Sequence, residues 1–352
     1  MKMMKKCLAL LLVLTMVFAL AACSKTETTE QASTETEQTS AEQTQSTDEQ
    51  TQSTEEKKDK LTIGYVVANP TWQGWLIITN GVHDAAEELA DEVEYVEMGL
   101  ASSQDLNAYI NALEDLRTMG ADAIVMGGCN MTLAANVDEF IESSGIPIIE
   151  VDSPSGATNT YNMGIDNEAG GAMAAAWMGE KLGGKGTVVS VNGRLTDASG
   201  IGRKEGFAKY MNEHYPDIEI FDVATEWQQE QALNGVDDAF ASLGTIDGIF
   251  CGWDGAAVVV SNTLVERGLT GKTLLCGFDG AADALQLMKK GEIDADVAQP
   301  LYGMGYEGFK TAYALAKGET PENAKIALDT KLVTTDTIDT WIEEGHLQSF
   351  FE

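Results

Sequence analysis

The sequence predicts an α/β protein with two parallel sheets, and three observations carry that expectation. From Lys60 onward, short apolar runs alternate with amphipathic stretches of helical length. The runs are continuously apolar rather than alternating, as strands of a parallel sheet covered by helices on both faces must be. The whole pattern also occurs twice. The strand runs fall at 61–67, 93–98, 123–126 and 147–151, then at 187–191, 218–223, 248–251, 273–277 and 294–298. Helices are expected near 74–91, 104–119, 131–143, 168–182, 201–214, 229–242, 254–267, 281–290 and 302–317. At an offset of 125 residues Gly81 falls on Gly206, Val93-Glu94 on Ile218-Glu219, Asp122 on Asp247 and Ile124 on Ile249, and Asp152 matches Asp279 at 127. Residues 61–152 and 186–279 therefore read as two copies of one βαβαβαβ unit.

The segment ahead of this body has a different composition. Residues 1–22 form an export signal: lysines at 2, 5 and 6, an apolar run from Leu8 to Leu20 too short to span a bilayer, then small residues. Leu20-Ala21-Ala22-Cys23 resembles a bacterial lipobox, which implies cleavage before Cys23 and lipid on its sulfur. Residues 24–60 contain no apolar side chain larger than alanine, so residues 23–60 are expected to be a lipidated cysteine followed by a disordered polar linker. The body beyond holds 15 basic and 46 acidic residues of the chain's 22 and 56. Its field repels phosphate backbones and anionic headgroups, so nucleic acid is excluded as a partner. Of the five cysteines, Cys129, Cys251 and Cys276 lie in the body without a CxxC spacing, and no disulfide framework or metal knuckle follows.

In open parallel sheets the functional loops lie beyond the carboxyl ends of the strands. Those loops carry Asn69, Trp72, Trp75, Asn130, Asp152 and Ser153 in the first copy. The second copy has Arg194, Asp197 and Arg203, then Glu226-Trp227-Gln228, Trp253-Asp254, Asp279 and Gln299. Four of six tryptophans standing in loops beside carboxylates, amides and an arginine suit a carbohydrate or polyol. Flat rings pack on its C–H faces and paired polar groups take its hydroxyls. Plainer roles exist: Trp72 or Trp75 stapling a helix start, Asp254 as a helix N-cap, Arg203 as a surface ion pair. Trp177 and Trp341 fall inside helical patterns and are expected to pack in the core.

At Gly277-Phe278-Asp279-Gly280, Ala298-Gln299, Ile165-Asp166-Asn167 with Gly170-Gly171, and Gly202-Arg203 with Gly206-Phe207, the chain resembles the type I periplasmic sugar-binding proteins, ribose binders above all. The resemblance runs from about Leu61 to Val333. It implies two Rossmann-like lobes joined by a three-segment hinge, near Gly164-Ile165, Gln299-Pro300 and Ala327-Leu328. Residues 61–164 with 300–327 would form one lobe and 165–299 with 328–352 the other. A sugar would bind between them for delivery to an ABC permease. Arg203, Asp279 and Gln299 match sugar-bonding positions, Trp227 and Trp75 stacking positions, and Asp152 a binding carboxylate. Trp253, Ser153 and Trp72 depart from the ribose pattern, where asparagine, arginine and a second asparagine are usual.

The ligand-binding set expected is thus Trp72, Trp75, Asn130, Asp152, Arg203, Trp227, Trp253, Asp254, Asp279 and Gln299. No cofactor, metal or catalytic group is expected: His83, His214 and His346 are scattered, and no HExxH, GxSxG or EF-hand pattern occurs. Gly179 to Lys185 is near a phosphate-binding loop, but Gly186 replaces the Ser/Thr and the segment runs from helix into strand. The expectation is a monomeric, lipid-anchored binder of a neutral sugar or polyol on the outer face of a bacterial cytoplasmic membrane. A nucleoside, an autoinducer-like furanose, a quaternary amine, or a sensor for a receptor kinase or chemoreceptor are the alternatives.

Overall fold

The structure, a computed structural model, describes residues 60–351; the signal, Cys23 and the linker up to residue 59 lie outside them. The first unit runs β1 (Leu61–Ala68), α1 (Gln73–Glu88), β2 (Val93–Leu100), α2 (Leu106–Thr118), β3 (Ala123–Gly127), α3 (Ala134–Ser144), β4 (Ile148–Val151), β5 (Tyr161–Ile165). The second runs α4 (Asn167–Lys181), β6 (Lys185–Asn192), α5 (Ala198–His214), β7 (Asp217–Ala224), α6 (Gln229–Leu243), β8 (Gly248–Cys251), α7 (Asp254–Arg267), β9 (Leu274–Asp279), α8 (Ala282–Lys289), β10 (Ala295–Ala298). Then come α9 (Leu301–Ala316), β11 (Lys325–Leu328), β12 (Lys331–Thr334) and α10 (Ile338–Glu344).

Two six-stranded sheets result, ordered β11-β5-β4-β3-β1-β2 and β12-β10-β9-β8-β6-β7. All pairings are parallel except β10 with β12. The chain passes between the sheets three times, at 165–167, 298–301 and 328–331. β5 and β11 reach Ile165 and Leu328, one residue past the lobe boundaries expected from the sequence.

The helices form because each carries one apolar stripe. In α1, Trp75, Ile78, Val82 and Ala85 recur at three- and four-residue spacing and are buried, while Asn80, His83 and Asp84 face water. The strands need no such alternation, since Ile63 to Ala68 are buried on both faces.

The duplication has a physical signature at atomic level. Asp122 Oδ2 accepts the Thr62 N–H at 2.7 Å, and Asp247 Oδ2 accepts the Thr187 N–H at 2.8 Å, so one carboxylate ties the start of the first strand in each unit. Gly81 and Gly206 mark close helix crossings. A Cβ on Gly81 would lie 2.1 Å from the Tyr302 carbonyl oxygen of α9, and one on Gly206 1.9 Å from the Glu168 oxygen of α4. Gly305 and Gly171 answer them from the facing helices, at 1.9 Å from the Ile78 oxygen and 2.1 Å from that of Arg203. Backbone meets backbone at both crossings, so only glycine fits. Cys251 and Cys276 are buried in β8 and β9, and Trp177 and Trp341 are 9% and 6% exposed in the core.

Candidate ligand-binding site

The loops beyond the strand ends of both sheets enclose a cavity of about 650 Å³, inside the roughly 300–1,000 Å³ range of small-molecule sites. Trp72, Trp75, Asp152, Arg203, Trp227, Trp253 and Asp279 all stand in its wall. Asn130, Asp254 and Gln299 do not; they lie behind it.

Each unit presents a tryptophan pair in edge-to-face contact. Trp72 and Trp75 have ring centres 6.3 Å apart at 64°, and Trp227 and Trp253 5.4 Å apart at 88°. Glycines make room for the outer ring of each pair. A Cβ on Gly74 would lie 2.2 Å from the Trp72 ring and one on Gly193 2.0 Å from that of Trp227. Trp72 and Trp253 are N-cap residues of α1 and α7, and Trp75 occupies the first turn of α1. They therefore begin helices while facing the cavity.

The polar part of the wall begins with Arg203 on α5, 4% exposed. Its Nη1 donates to Asp279 Oδ1 and to the Gly252 carbonyl, both at 2.8 Å, and its Nε to Asn167 Oδ1 at 2.9 Å. The guanidinium lies 4.0 Å from the centre of the Phe278 ring and 5.9 Å from that of Trp227. Gln299 Nε2 donates to Asp279 Oδ1 at 2.7 Å, and the Asp254 N–H approaches Oδ2 at 3.3 Å. Asp152, from the other unit, accepts the Ser153 hydroxyl at 2.6 Å.

Burial pushes the Asp279 carboxyl up to about 7; Arg203 opposes the shift, and Asp152 and Asp296 add to it. Asp152 is raised by burial and held down by Arg203, Ser153 and Gln299. With a guanidinium at 2.8 Å and an amide donor at 2.7 Å, Asp279 is held in its charged form more firmly than its depth alone would allow.

Asp254 has a role the sequence did not suggest. It is the first residue of α7, the N-cap being Trp253, so it is neither the cap nor part of the cavity wall. It is fully buried, and its oxygens accept the N–H groups of Phe278 at 3.1 Å and Ala281 at 2.6 Å. Burial, then Asp296, hold it well above the usual carboxyl range; burial carries Asp296 up to about 6, opposed by its hydrogen bond with Asp254. Two buried carboxyls this close favour one proton held between them over two charges. Gly277 leaves them space, since a Cβ there would lie 2.4 Å from Asp296 Oδ2 and 2.6 Å from Asp254 Oδ1. Asn130 likewise supports rather than lines: its Oδ1 accepts from the N–H and hydroxyl of Thr132, closing a short 3-10 turn.

A second polar group in the wall was not among the residues expected to bind. Arg194 donates from Nη1 to Asp197 Oδ2 at 2.9 Å and from Nε to Glu226 Oε2 at 2.8 Å. Trp227 Nε1 donates to the same Asp197 oxygen at 2.7 Å. With its amide oriented to satisfy both ends, Gln104 from the first unit accepts from Arg194 at 2.6 and 2.8 Å and from Asn130 at 3.3 Å. The duplication held the signal for these residues. At the same offset of 125, Arg194 answers Asn69, Asp197 answers Trp72, Trp253 answers Gly128, and Gln229 answers Gln104, and all eight stand in the wall.

Backbone strain concentrates here too. Among the described residues, five non-glycine residues have positive φ, and four of them line the cavity: Asn69 (51°), Asp152 (64°), Trp227 (59°) and Asp279 (127°). Such conformations cost on the order of 1–3 kcal/mol each and persist where the surroundings impose them.

A family model described as a periplasmic binding protein domain matches residues 63–320. The chain belongs to that family. The periplasmic binding proteins are substrate-binding components of ABC transporters, extracytoplasmic and not enzymes. Among relatives, the ribose import binding protein RbsB of Haemophilus influenzae is 28% identical over 252 residues, 71% of this chain and 85% of that protein. A xylitol-binding protein of Mycolicibacterium smegmatis is 27% identical over 246 residues, 69% and 70% of the two chains. Among solved structures, a carbohydrate transporter solute-binding protein of Agrobacterium radiobacter in complex with D-arabinose aligns with a TM-score of 0.75 at 27% identity. That alignment covers 84% of this chain and all of that one. The two sheets flanked by helices are thus those of a two-lobed type I binding protein.

Proposed function

We propose that this protein captures a monosaccharide or polyol between its lobes and delivers it to an ABC permease. One observation carries the ligand class. Both arginines in the wall are already matched, Arg203 by Asp279 and Arg194 by Asp197 and Glu226, and the remaining surface includes two tryptophan pairs. An anionic ligand would find no uncommitted cation, and burying it unpaired costs several kcal/mol. A quaternary amine would meet Arg203 among the rings. A neutral ligand with hydroxyls at its edges and C–H groups on its faces fits both the rings and the carboxylates. Asp152 and Asp279 take hydroxyls, Arg203 donates to a ring or hydroxyl oxygen, Trp72, Trp75 and Trp227 stack, Trp253 closes the pocket, and Gln299, Asn130 and Asp254 hold these groups in place.

The lobes meet near residues 165–166, 299–300 and 328–329, and they close when the ligand contacts both. The protein acts as a monomer tethered by lipid on Cys23 to the outer face of the cytoplasmic membrane. A thermal-shift screen over pentoses, hexoses, polyols, sugar acids, nucleosides and choline tests the ligand class. A ligand at 100 times its dissociation constant adds about 2.7 kcal/mol. Stabilisation by a neutral sugar or polyol is expected, and a response to choline or nucleosides alone would overturn the reading. Loss of fatty-acid labelling in Cys23→Ser tests the tether.

A further inference from the structure

Asp197 is the N-cap of α5, yet its side chain makes no capping bond. An aspartate there ordinarily accepts an N–H from the first turn and stabilises the helix by about 1 kcal/mol. Here the carboxylate turns instead to Arg194 and the Trp227 indole, both through Oδ2. The other oxygen, Oδ1, is buried and has no partner, although the residue is only 7% exposed and stands in the cavity wall. The neighbouring donors are committed, the Arg194 nitrogens to Asp197 Oδ2, Glu226 and Gln104. A buried carboxylate oxygen left without a donor costs roughly 1–3 kcal/mol or more, so a donor is missing at this wall residue.

We propose that Asp197 reads the ligand, its Oδ1 accepting a hydrogen bond from one ligand hydroxyl at a polar pole separate from Arg203 and Asp279. The two poles share no hydrogen bond and are joined by Trp227, whose indole N–H binds Asp197 while Arg203 lies 5.9 Å from its ring centre. The donor is a hydroxyl rather than an ammonium, because Arg194 already balances the carboxylate at 2.9 Å. Gln104 reaches this pole from the opposite unit, so it is complete only with the lobes together. The repeat-equivalent of Asp197 is Trp72, also an N-cap without a capping bond. Both units thus give the same helix-capping position to the ligand.

The inference rests on sugar or polyol capture, and the test separates the two. Wild type and Asp197→Asn are titrated calorimetrically with D-ribose, D-arabinose, D-allose, D-galactose and xylitol, and with monodeoxy analogues of each binder, such as 2-deoxy-D-ribose or D-fucose. The asparagine keeps an acceptor for Trp227 and puts an amide donor where Oδ1 was. The parent sugar should bind about 10- to 100-fold more weakly to Asp197→Asn. One monodeoxy analogue should lose a similar factor with wild type and little more with the variant. Unchanged affinity would leave a water, not the ligand, on Oδ1. An equal loss for every analogue would make Asp197 only a prop for Trp227. Both results overturn the proposal. A wild type that binds none of these compounds refutes sugar capture itself, and this inference with it, in an arm that needs no variant.

Discussion

Asp279→Ala is the sharpest perturbation, because its effects on folding and on binding separate. Arg203 and Asp279 are 4% and 1% exposed and 2.8 Å apart, so the substitution strands a buried guanidinium. Breaking one half of a buried pair costs about 3–5 kcal/mol. The Gly252 carbonyl and Asn167 Oδ1 still hold Arg203, which favours the lower end. At about 2–4 °C per kcal/mol for a chain of this order, the melting temperature should fall by roughly 6–20 °C. For the ligand, losing a charged acceptor in a dry site weakens binding by about 2–5 kcal/mol, a factor of roughly 30 to 4,000. Asp279→Asn keeps the shape and one acceptor for Gln299, so it should recover part of the folding loss while remaining a weak binder. Calorimetric unfolding and sugar titration on the same preparations give both numbers. A folded Asp279→Ala with unaltered sugar affinity would remove this residue from the site, and an unaltered melting temperature would refute the dependence of Arg203 on it.

Three further outcomes follow from the same geometry. Burial raises Asp254, Asp279 and Asp296, so the folded state binds more protons than the unfolded chain. Stability of the unliganded protein should therefore fall as pH rises through about 6 to 7. Asp296→Asn should flatten that profile and be the more stable form at pH 8, since its amide keeps the Gly280 N–H on oxygen and donates to Asp254 in place of the shared proton. A steeper fall in urea titrations would contradict this. Gly206→Ala and Gly81→Ala put a methyl about 2 Å from a carbonyl oxygen and should cost about 1–3 kcal/mol or more. Gly303→Ala, in α9 with its nearest neighbour 3.9 Å away, should be neutral or stabilising; equal melting of the three would be inconsistent with the tight crossings. Gln104→Ala should weaken every ligand by the same factor, because it touches Arg194 across the cleft and alters the closed population. A change in the ranking of ligands would make Gln104 a ligand contact instead.

How far the molecule was legible in its sequence depended on which faces each element buries. Strands such as β1 and β8 are covered on both sides and leave unbroken apolar runs that periodicity finds at once. β11 and β12 lie at sheet edges, with Lys325 and Lys331 exposed, and β5 is only half-buried; their patterns resemble loops, and they were not expected as strands. In the site, tryptophans expected in loops were conspicuous because core tryptophans sit inside elements, as Trp177 does, although Trp75 proves to lie in the first turn of α1. Asp197 and Arg194 stood in the expected cleft loops but outside the binding set, since nothing in the sequence shows that they pair with each other and with the Trp227 indole. Asp254 erred the other way: its place in a cleft loop suggested a ligand contact, whereas its oxygens serve the Phe278 and Ala281 N–H groups beneath the wall. Nothing local in sequence tells which way such a side chain turns.

The duplication also bears on the order of events. Equivalent positions have kept the same chemistry at Asp152 and Asp279, both at positive φ, and diverged at Asn69 and Arg194, Trp72 and Asp197, and Gly128 and Trp253. The second unit's charged groups pair with one another, Arg203 with Asp279, and Arg194 with Asp197 and Glu226. That half-site is organised before anything binds and loses little entropy in binding. The first unit brings Trp72, Trp75, Asp152 and Gln104, of which Gln104 has its strongest partner, Arg194, on the opposite unit. A ligand is therefore expected to meet the second unit first. Since it favours closure only by contacts made in the closed form, the selectivity of closure rests on the first unit. Asp152→Asn should accordingly slow closure and weaken binding while leaving the encounter rate intact, whereas Trp227→Ala should impair the encounter itself. Stopped-flow tryptophan fluorescence separates the two steps, and a reversed assignment would overturn this order.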